Sequence, residues 1–390
     1  MGCGQMVANI VVLGAGSSGR AAAALAARQG REAVVVDGDS PLPEGRFAFA
    51  VVSPGIPVTH PWFAECAARG IPVKSELQFG AEECRRRGIR MLAVTGSKGK
   101  SSVVKAVADG LVASGVSAVA CGNYGTPLCA VACGEPVDWA IVEVSSFQLE
   151  TTSLPLDAFE AATVLNLQED HLDRHGTVAV YHALKRKLLA MARASVAARS
   201  EDFPAQARDS YFDNAVLRAN GAAAAELMQA AGLTPHQAAM ALVKFEPLPH
   251  RMSLVGVYGG VRCIDDSKAT SLAALAAGVE MAGNNVRLIA GGLAKGDDPR
   301  LLAPLLTERV KKVYLIGDCA GAFFAAWAGA VDCEICGTIG WAVECAMREA
   351  SSGDALLLSP GAASFDQFEN FGRRGDVFAA LVKKEGHKKI

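Results

Sequence analysis

Val94-Thr95-Gly96-Ser97-Lys98-Gly99-Lys100-Ser101-Ser102 follows the apolar run Met91-Leu92-Ala93 and leads into Val103-Val104-Lys105-Ala106-Val107. The order reads as strand, glycine loop, helix. Glycines let backbone N–H groups turn towards a polyphosphate, and the first helical turn adds its positive end. Lys100 is placed to reach the outer phosphates, and the Ser101 hydroxyl to ligate Mg²⁺. The longer phosphate-loop pattern has a glycine five positions before Gly99, where Val94 stands. The match is therefore to the shorter G-x-x-G-K-S form, whose other reading is a chance glycine turn.

The chain has 390 residues, enough for two or three domains with buried cores. With 38 basic and 40 acidic residues it carries a formal charge of −2, which excludes a basic nucleic-acid or membrane-surface footprint. No apolar span is long enough to cross a membrane, and Met1-Gly2-Cys3-Gly4-Gln5 does not read as a leader. Eleven scattered cysteines, an odd number, point to reduced thiols and the cytoplasm. Cys333-Glu334-Ile335-Cys336 has no matching second pair, so we expect two small buried strand residues there rather than zinc or redox chemistry.

Upstream, Asn9 to Leu13 is a short buried-strand pattern, followed by Gly14-Ala15-Gly16-Ser17-Ser18-Gly19 and an alanine-rich helix. A second strand, Ala33 to Val36, ends at Asp37. This is the dinucleotide fingerprint with its acidic residue near the usual offset. Asp37 reads either as a ribose or base contact or as a strand-end turn with Gly38. A third strand, expected over Phe47 to Val52, runs into Ser53-Pro54-Gly55. Taken alone this region suggests a nicotinamide enzyme.

Downstream of the loop, Trp139-Ala140-Ile141-Val142-Glu143 places a carboxylate in an apolar strand, which is costly unless it is paired. Glu143 stands where a strand beside a phosphate loop presents a Mg²⁺ ligand; a salt bridge is the other reading. Asn166-Leu167-Gln168-Glu169-Asp170-His171-Leu172-Asp173-Arg174-His175 gathers three acids and two histidines at another strand's carboxyl end. Nothing local marks Lys185, on the helix expected over Val178 to Met191. Arg193 to Asp213 lacks periodicity and is expected to be a mobile loop.

Three motifs, Thr95–Ser101, Glu143-Val144-Ser145-Ser146-Phe147-Gln148-Leu149-Glu150 and Asn166–Arg174, resemble the Mur ligase family in order and spacing, over nearly the whole chain. The resemblance implies an α/β fold of three domains. These are a Rossmann-like UDP-sugar domain (1–90), a P-loop ATPase domain (91–247) and a Rossmann-like domain for amino acid and nucleotide (248–390). It implies ATP bound through Gly96, Ser97, Lys98, Gly99, Lys100, Ser101, Ser102, Asn220, Arg251 and Asp266. The UDP-sugar would meet Gly14, Ser17, Ser18, Asp37, Ser53, Asn123 and Ser145. Mg²⁺ would rest on Ser101, Glu143, His171 and a carbamylated Lys185.

The chain also departs from the family. The segments from Asp37 to Ser53 and from Lys185 to Asn220 are short, and the adenine-side H-N-x-x-N motif keeps only Asn220, with Val216 and Leu217 at its first two positions.

In the last third, Val261-Arg262-Cys263-Ile264 ends in Asp265-Asp266-Ser267-Lys268-Ala269-Thr270-Ser271, an acid, cation and hydroxyl set suited to a ligand crevice. Strand-then-glycine patterns recur at Leu288–Gly292, Val313–Gly317 and Ala355–Gly361. Within the family, Thr270, Lys268, Lys295, Ser364 and Phe371 fall at the positions that hold D-glutamate. Hydroxyl donors with a cation suit a dicarboxylate.

The activity implied is ATP-dependent joining of D-glutamate to UDP-N-acetylmuramoyl-L-alanine through an acyl phosphate, in peptidoglycan synthesis, by a monomer whose domains close around the substrates. Lys100, Glu143, His171 and Lys185 would serve the chemistry. The alternatives are an amino-acid ligase with other substrates, a non-catalytic UDP-sugar-binding relative and, last, an NAD oxidoreductase.

Overall fold

Three sheets, each dominated by parallel strands, organise the chain in the computed structural model, which describes residues 9–294 and 296–388. The expected α/β class with parallel sheets is what the structure contains. Two compact units divide these sheets. One comprises Met1–Asp213 with Leu217–Phe245 and holds two of them; the other comprises Asn214–Val216 with Glu246–Ile390 and holds the third.

The first sheet joins β1 (Ile10–Leu13), β2 (Ala33–Val36), β3 (Ala50–Val52) and β4 (Val73–Ser75) in the order β2-β1-β3-β4, all parallel. Every residue of β1 is buried, as a parallel strand covered on both faces requires. The third strand is shorter than the apolar run from Phe47 suggests. Its ladder opens only at Ala50, opposite Val11 and Val73.

The second sheet joins β5 (Arg90–Thr95), β6 (Ala118–Gly122), β7 (Trp139–Glu143), β8 (Phe159–Val164) and β9 (Ala192–Val196) in the order β6-β7-β5-β8-β9, again all parallel. β5 is central, and Met91 to Thr95 are buried. Truncating one of these side chains, such as Leu92→Ala, costs about 2–5 kcal/mol through lost burial and the cavity left. Because β5 has β7 on one side and β8 on the other, the loops leaving β5 and its neighbours part around a crevice at their carboxyl ends. β9 corrects the aperiodic loop expected from Arg193: Ala192 and Ala194 to Val196 pair with β8. As an edge strand it leaves Arg193, Ala194 and Ser195 exposed, so no alternation marks it. Two short 3-10 turns, Ser200–Asp202 and Ala205–Ala207, follow.

The second unit's sheet joins β10 (Ser253–Tyr258), β11 (Val261–Asp265), β12 (Val286–Gly291), β13 (Val310–Ile316), β14 (Asp332–Gly337) and β15 (Ala355–Leu358) in the order β10-β11-β15-β12-β13-β14. Only β10 runs antiparallel, against β11. Cys333 and Cys336 lie on a strand as expected but are half-buried, because β14 is an edge. Among the described residues no helix is long and apolar enough to cross a membrane.

Candidate active site

The loop leaving β5 is fixed from several sides. The Thr95 hydroxyl donates to the Val144 carbonyl at 2.7 Å. Asn166, just past β8, accepts from Lys98 N at 2.8 Å and donates to the Lys98 carbonyl at 2.9 Å. The Ser97 hydroxyl lies 3.1 Å from the Gln168 carbonyl and accepts from Gln168 N and the Tyr181 hydroxyl. Gly99 stands at φ +84°, a left-handed conformation that favours glycine, at the head of the helix Lys100–Ala113. A Cβ there would run into the Asn220 amide, so Asn220 lies directly against the glycine loop. Ser102 is buried in the first turn and Ser101 is half-buried beside it. The Lys100 ammonium folds back onto the carbonyls of Gly96 at 2.7 Å and Ser97 at 3.1 Å.

Glu143 ends β7 in register with Val94 and is 2 % exposed. Its Oε1 accepts from Asn123 Nδ2 at 2.7 Å, but Oε2 has no hydrogen-bond partner among the described residues. A buried carboxylate oxygen left so is costly and invites a cation. No ion pair to Glu143 is present among those residues, so the salt-bridge reading has no partner.

Lys185, which nothing local distinguishes, proves to be 2 % exposed, with Nζ donating to the Gly96 carbonyl at 2.9 Å and lying 4.6 Å from the Tyr181 ring centre. Burial, then Lys100, pull its amine down from 10.5 to about 7, against the opposing pull of Asp170 and Glu143. Its helix is Val178–Lys187, with a 3-10 turn, Leu188–Met191, completing the expected span. His171 adopts φ +53° before the single turn Leu172–His175. Its side chain is 45 % exposed, 3.8 Å from the Asp170 carboxylate. The crevice thus unites Lys100, Glu143 and Lys185 around the loop, with His171 at its rim.

On the first sheet, Gly19 packs so closely on the Gly14 carbonyl that no side chain fits. Asp37 Oδ1 accepts from Ala15 N at 3.2 Å, so the acidic residue is tied to the glycine loop rather than only turning the chain. The Ser53 hydroxyl donates to the Gly14 carbonyl at 3.3 Å. Ser17 is exposed and Ser18 half-buried at the start of the helix Ser17–Arg28. Ser145 caps the helix Ser146–Glu150 in a reciprocal box with Gln148.

One constellation gave no local signal. Arg174 and Glu150 lie far apart in sequence, yet form a nearly buried ion pair at 2.6 Å, with His175 against the same carboxylate at 3.2 Å. Burial depresses the His175 imidazole.

In the second unit, the loop after β11 and the segment after β15 converge. Arg374, 1 % exposed, donates to the Ser267 hydroxyl and carbonyl at 3.0 and 2.8 Å and to the Ala362 carbonyl at 3.2 Å. The Ser267 hydroxyl in turn donates to the Phe371 carbonyl at 2.8 Å. Lys268 Nζ sits 3.9 Å from the Phe371 ring centre, and Ser364 is buried nearby on the same segment as Ala362. Thr270 follows on the Lys268 loop and is half-buried. Lys295 lies outside the described residues.

Asp266 accepts from the Ser359 hydroxyl at 2.8 Å and Met252 N at 3.3 Å, and burial raises its carboxyl to about 7 despite those bonds and nearby Arg251. Elsewhere Glu334, Cys336 and Cys345 converge, but Lys312 at 2.8 Å from Glu334 and Arg348 at 3.4 Å from Cys345 put cations where a metal would need anions.

Comparison with known proteins places these features in context. Residues 94–259 match the Mur ligase middle domain. The chain is 31 % identical to the UDP-N-acetylmuramoylalanine--D-glutamate ligase of Chlamydia caviae, over 96 % of this chain and 97 % of the relative. It is 34 % identical to the enzyme of the same name from Dechloromonas aromatica, over 96 % and 98 %. Among solved structures, a UDP-N-acetylmuramate-alanine ligase from Thermotoga maritima superposes with a TM-score of 0.60 at 13 % identity, covering 97 % of this chain and 100 % of that one. A MurF ligase from the same organism, in complex with ADP, gives 0.59 at 14 % identity, covering 90 % and 97 %. At such identities these two speak for the fold alone.

Proposed function

The chain belongs to the Mur ligase family, and from that premise we propose that it joins D-glutamate to UDP-N-acetylmuramoyl-L-alanine at the expense of ATP, in the synthesis of peptidoglycan precursors. The observation that carries this reading is the meeting of Lys100, Lys185 and the orphaned Glu143 oxygen at the phosphate loop.

Amide formation from a carboxylate needs a better leaving group than oxide. The L-alanyl carboxylate attacks the γ-phosphorus of ATP, ADP leaves, and an acyl phosphate results. The D-glutamate amine adds to the acyl carbon, loses a proton, and phosphate departs as the amide forms. Backbone N–H groups of Gly96 to Ser102 cradle the polyphosphate, and Lys100 releases its carbonyls to neutralise charge gathering on the transferring group. The sugar nucleotide lies along Gly14, Ser17, Ser18, Asp37 and Ser53, with Asn123 and Ser145 at the crevice. Asn220 backs the loop, and Arg251 and Asp266 are the further ATP contacts of this reading. There Lys268, Thr270, Ser364 and Phe371, with Lys295, receive the two carboxylates of D-glutamate.

The donors fit Mg²⁺: the unpartnered Glu143 oxygen and the Ser101 hydroxyl are hard oxygen ligands, with His171 at the rim. Bound there, the ion would offset negative charge on the phosphoryl oxygens. An amine held near 7 is unprotonated in about half of the molecules at neutral pH, against almost none at the ordinary lysine value. Lys185 Nζ therefore attacks CO₂, losing a proton to solvent, and becomes an anionic oxygen donor. The chain divides into sugar-nucleotide (1–90), ATP (91–247) and amino-acid (248–390) domains and works as a cytoplasmic monomer. The ten cysteines among the described residues are free thiols, which supports a reducing compartment.

The test is phosphate release with UDP-N-acetylmuramoyl-L-alanine, ATP and Mg²⁺ across a panel of amino acids. Turnover should require D-glutamate and fall by about 10²–10³ in Lys100→Ala. Turnover with another amino acid alone, or none at all, overturns the reading.

A further inference from the structure

Arg174 lies three residues beyond His171, on the single helical turn Leu172–His175. Its side chain is 12 % exposed and that of Glu150 9 %. Nε and one Nη donate to separate oxygens of Glu150 at 3.1 and 2.6 Å. The same Nη also reaches the carbonyls of Pro54 at 3.3 Å and Ile56 at 3.0 Å at the exit of β3, and the other Nη donates to the Gly55 carbonyl at 3.3 Å. Phe147 lies beneath the guanidinium, 4.6 Å from ring centre to Cζ. Only arginine offers enough donors in a fixed plane for a carboxylate and three carbonyls at once.

The gripped turn is continuous with the glycine loop. Ile56 N donates to the Ser53 carbonyl at 3.1 Å, and Ser53 donates to the Gly14 carbonyl. An unbroken path of bonds therefore runs from the His171 turn, through Arg174, to the Gly14–Ser53 corner.

We infer that Arg174 is a positioning residue that couples the nucleotide crevice to the sugar-nucleotide corner, so that occupancy of one sets the affinity of the other. The inference rests on the functional reading above. Nucleotide at the loop moves or fixes the His171 turn, and Arg174 transmits that change to the carbonyls of residues 54–56. Coupling between two binding equilibria is reciprocal, so the sugar nucleotide must alter nucleotide affinity by the same factor.

The test is calorimetry of UDP-N-acetylmuramoyl-L-alanine with and without a non-hydrolysable ATP analogue and Mg²⁺. In the wild-type protein the analogue should change the sugar-nucleotide Kd by about 5- to 150-fold. Arg174→Lys keeps the charge but cannot span the same acceptors, and should reduce that factor by about two- to thirtyfold. Arg174→Ala should do at least as much. The analogue's Kd measured alone should stay within about twofold in both variants, which a general collapse of the site would not allow. Glu150→Gln, which leaves the fork in place but loosens it, should give an intermediate factor and guards against a poorly folded alanine variant. A wild-type factor in Arg174→Lys, parallel loss of analogue affinity, or a wild-type protein that binds both ligands independently overturns the inference. A wild-type protein that binds neither ligand overturns the functional reading itself, a distinct result.

Discussion

Lys100 and Lys185 donate to the same acceptor, the Gly96 carbonyl oxygen, at 2.7 and 2.9 Å. Two ammonium groups so placed repel each other, and the more buried one yields. Burial is the larger cause of the fall of Lys185 to about 7, and this repulsion adds to it. Its chemistry should follow. Lys185→Ala should lower turnover by about 10²–10³, and a small carboxylate added to the assay should restore part of it. Wild-type enzyme prepared free of CO₂ should lag and recover with bicarbonate. Turnover in the alanine variant at the wild-type rate would end the carbamate proposal.

The same shift has a signature in stability. The folded amine titrates near 7 and the unfolded one near 10.5, so between these values the unfolded chain holds more protons. Stability should therefore rise with pH across that window as the cost of a buried charge is relieved. Denaturant titrations of ligand-free protein in CO₂-depleted buffer at pH 7 and 10 should show wild type gaining on Lys185→Met. An unchanged difference between the two pH values would contradict the shift.

Asp266 carries the opposite sign. Its carboxyl stands near 7 when folded against 3.8 unfolded, so the folded chain holds the extra proton between them. The stability it confers is complete below about 4 and is lost as pH rises through 7. Asp266→Asn cannot ionise, so the stability of wild type relative to this variant should decline from pH 4 to pH 7. Parallel pH profiles for the two proteins would refute this.

Gly99→Ala meets two obstacles, a left-handed backbone costing about 1–2 kcal/mol and the Asn220 amide in the way. Affinity for an ATP analogue should fall about tenfold or more, each tenfold being about 1.4 kcal/mol. Sugar-nucleotide binding should persist. Adding Asn220→Ala should recover part of the loss, since the two changes share one contact. Strictly additive losses would show that the steric account is wrong.

The parallel strands and the glycine turns after them were legible because each is a short contiguous pattern: β1 with Gly14–Gly19, β5 with Gly96–Gly99, β7 ending in Glu143. What escaped reading depends on contacts distant in sequence. Lys185 looks like any helical lysine until the loop after β5 folds over it. Arg174 sits within a motif that could be quoted but not explained, because its acceptors are carbonyls more than a hundred residues earlier. β9 hides because an edge strand with exposed side chains has no apolar alternation to display. Ser97 and Ser145 illustrate the converse. Both are expected ligand contacts, and both hydroxyls also hold the protein together, one on Gln168 and Tyr181, the other as a helix cap.

Asn220 stands behind Gly99 although about 120 residues of chain separate them. During synthesis the ribosome releases the glycine loop after β5 long before the helix that supports it. A nascent chain halted at Asp213 already possesses the whole second sheet, yet has no rear support for the loop proposed to hold nucleotide. Truncated pieces ending there are consequently poor baits for screening ATP-competitive inhibitors, and useful ones must extend through Phe245.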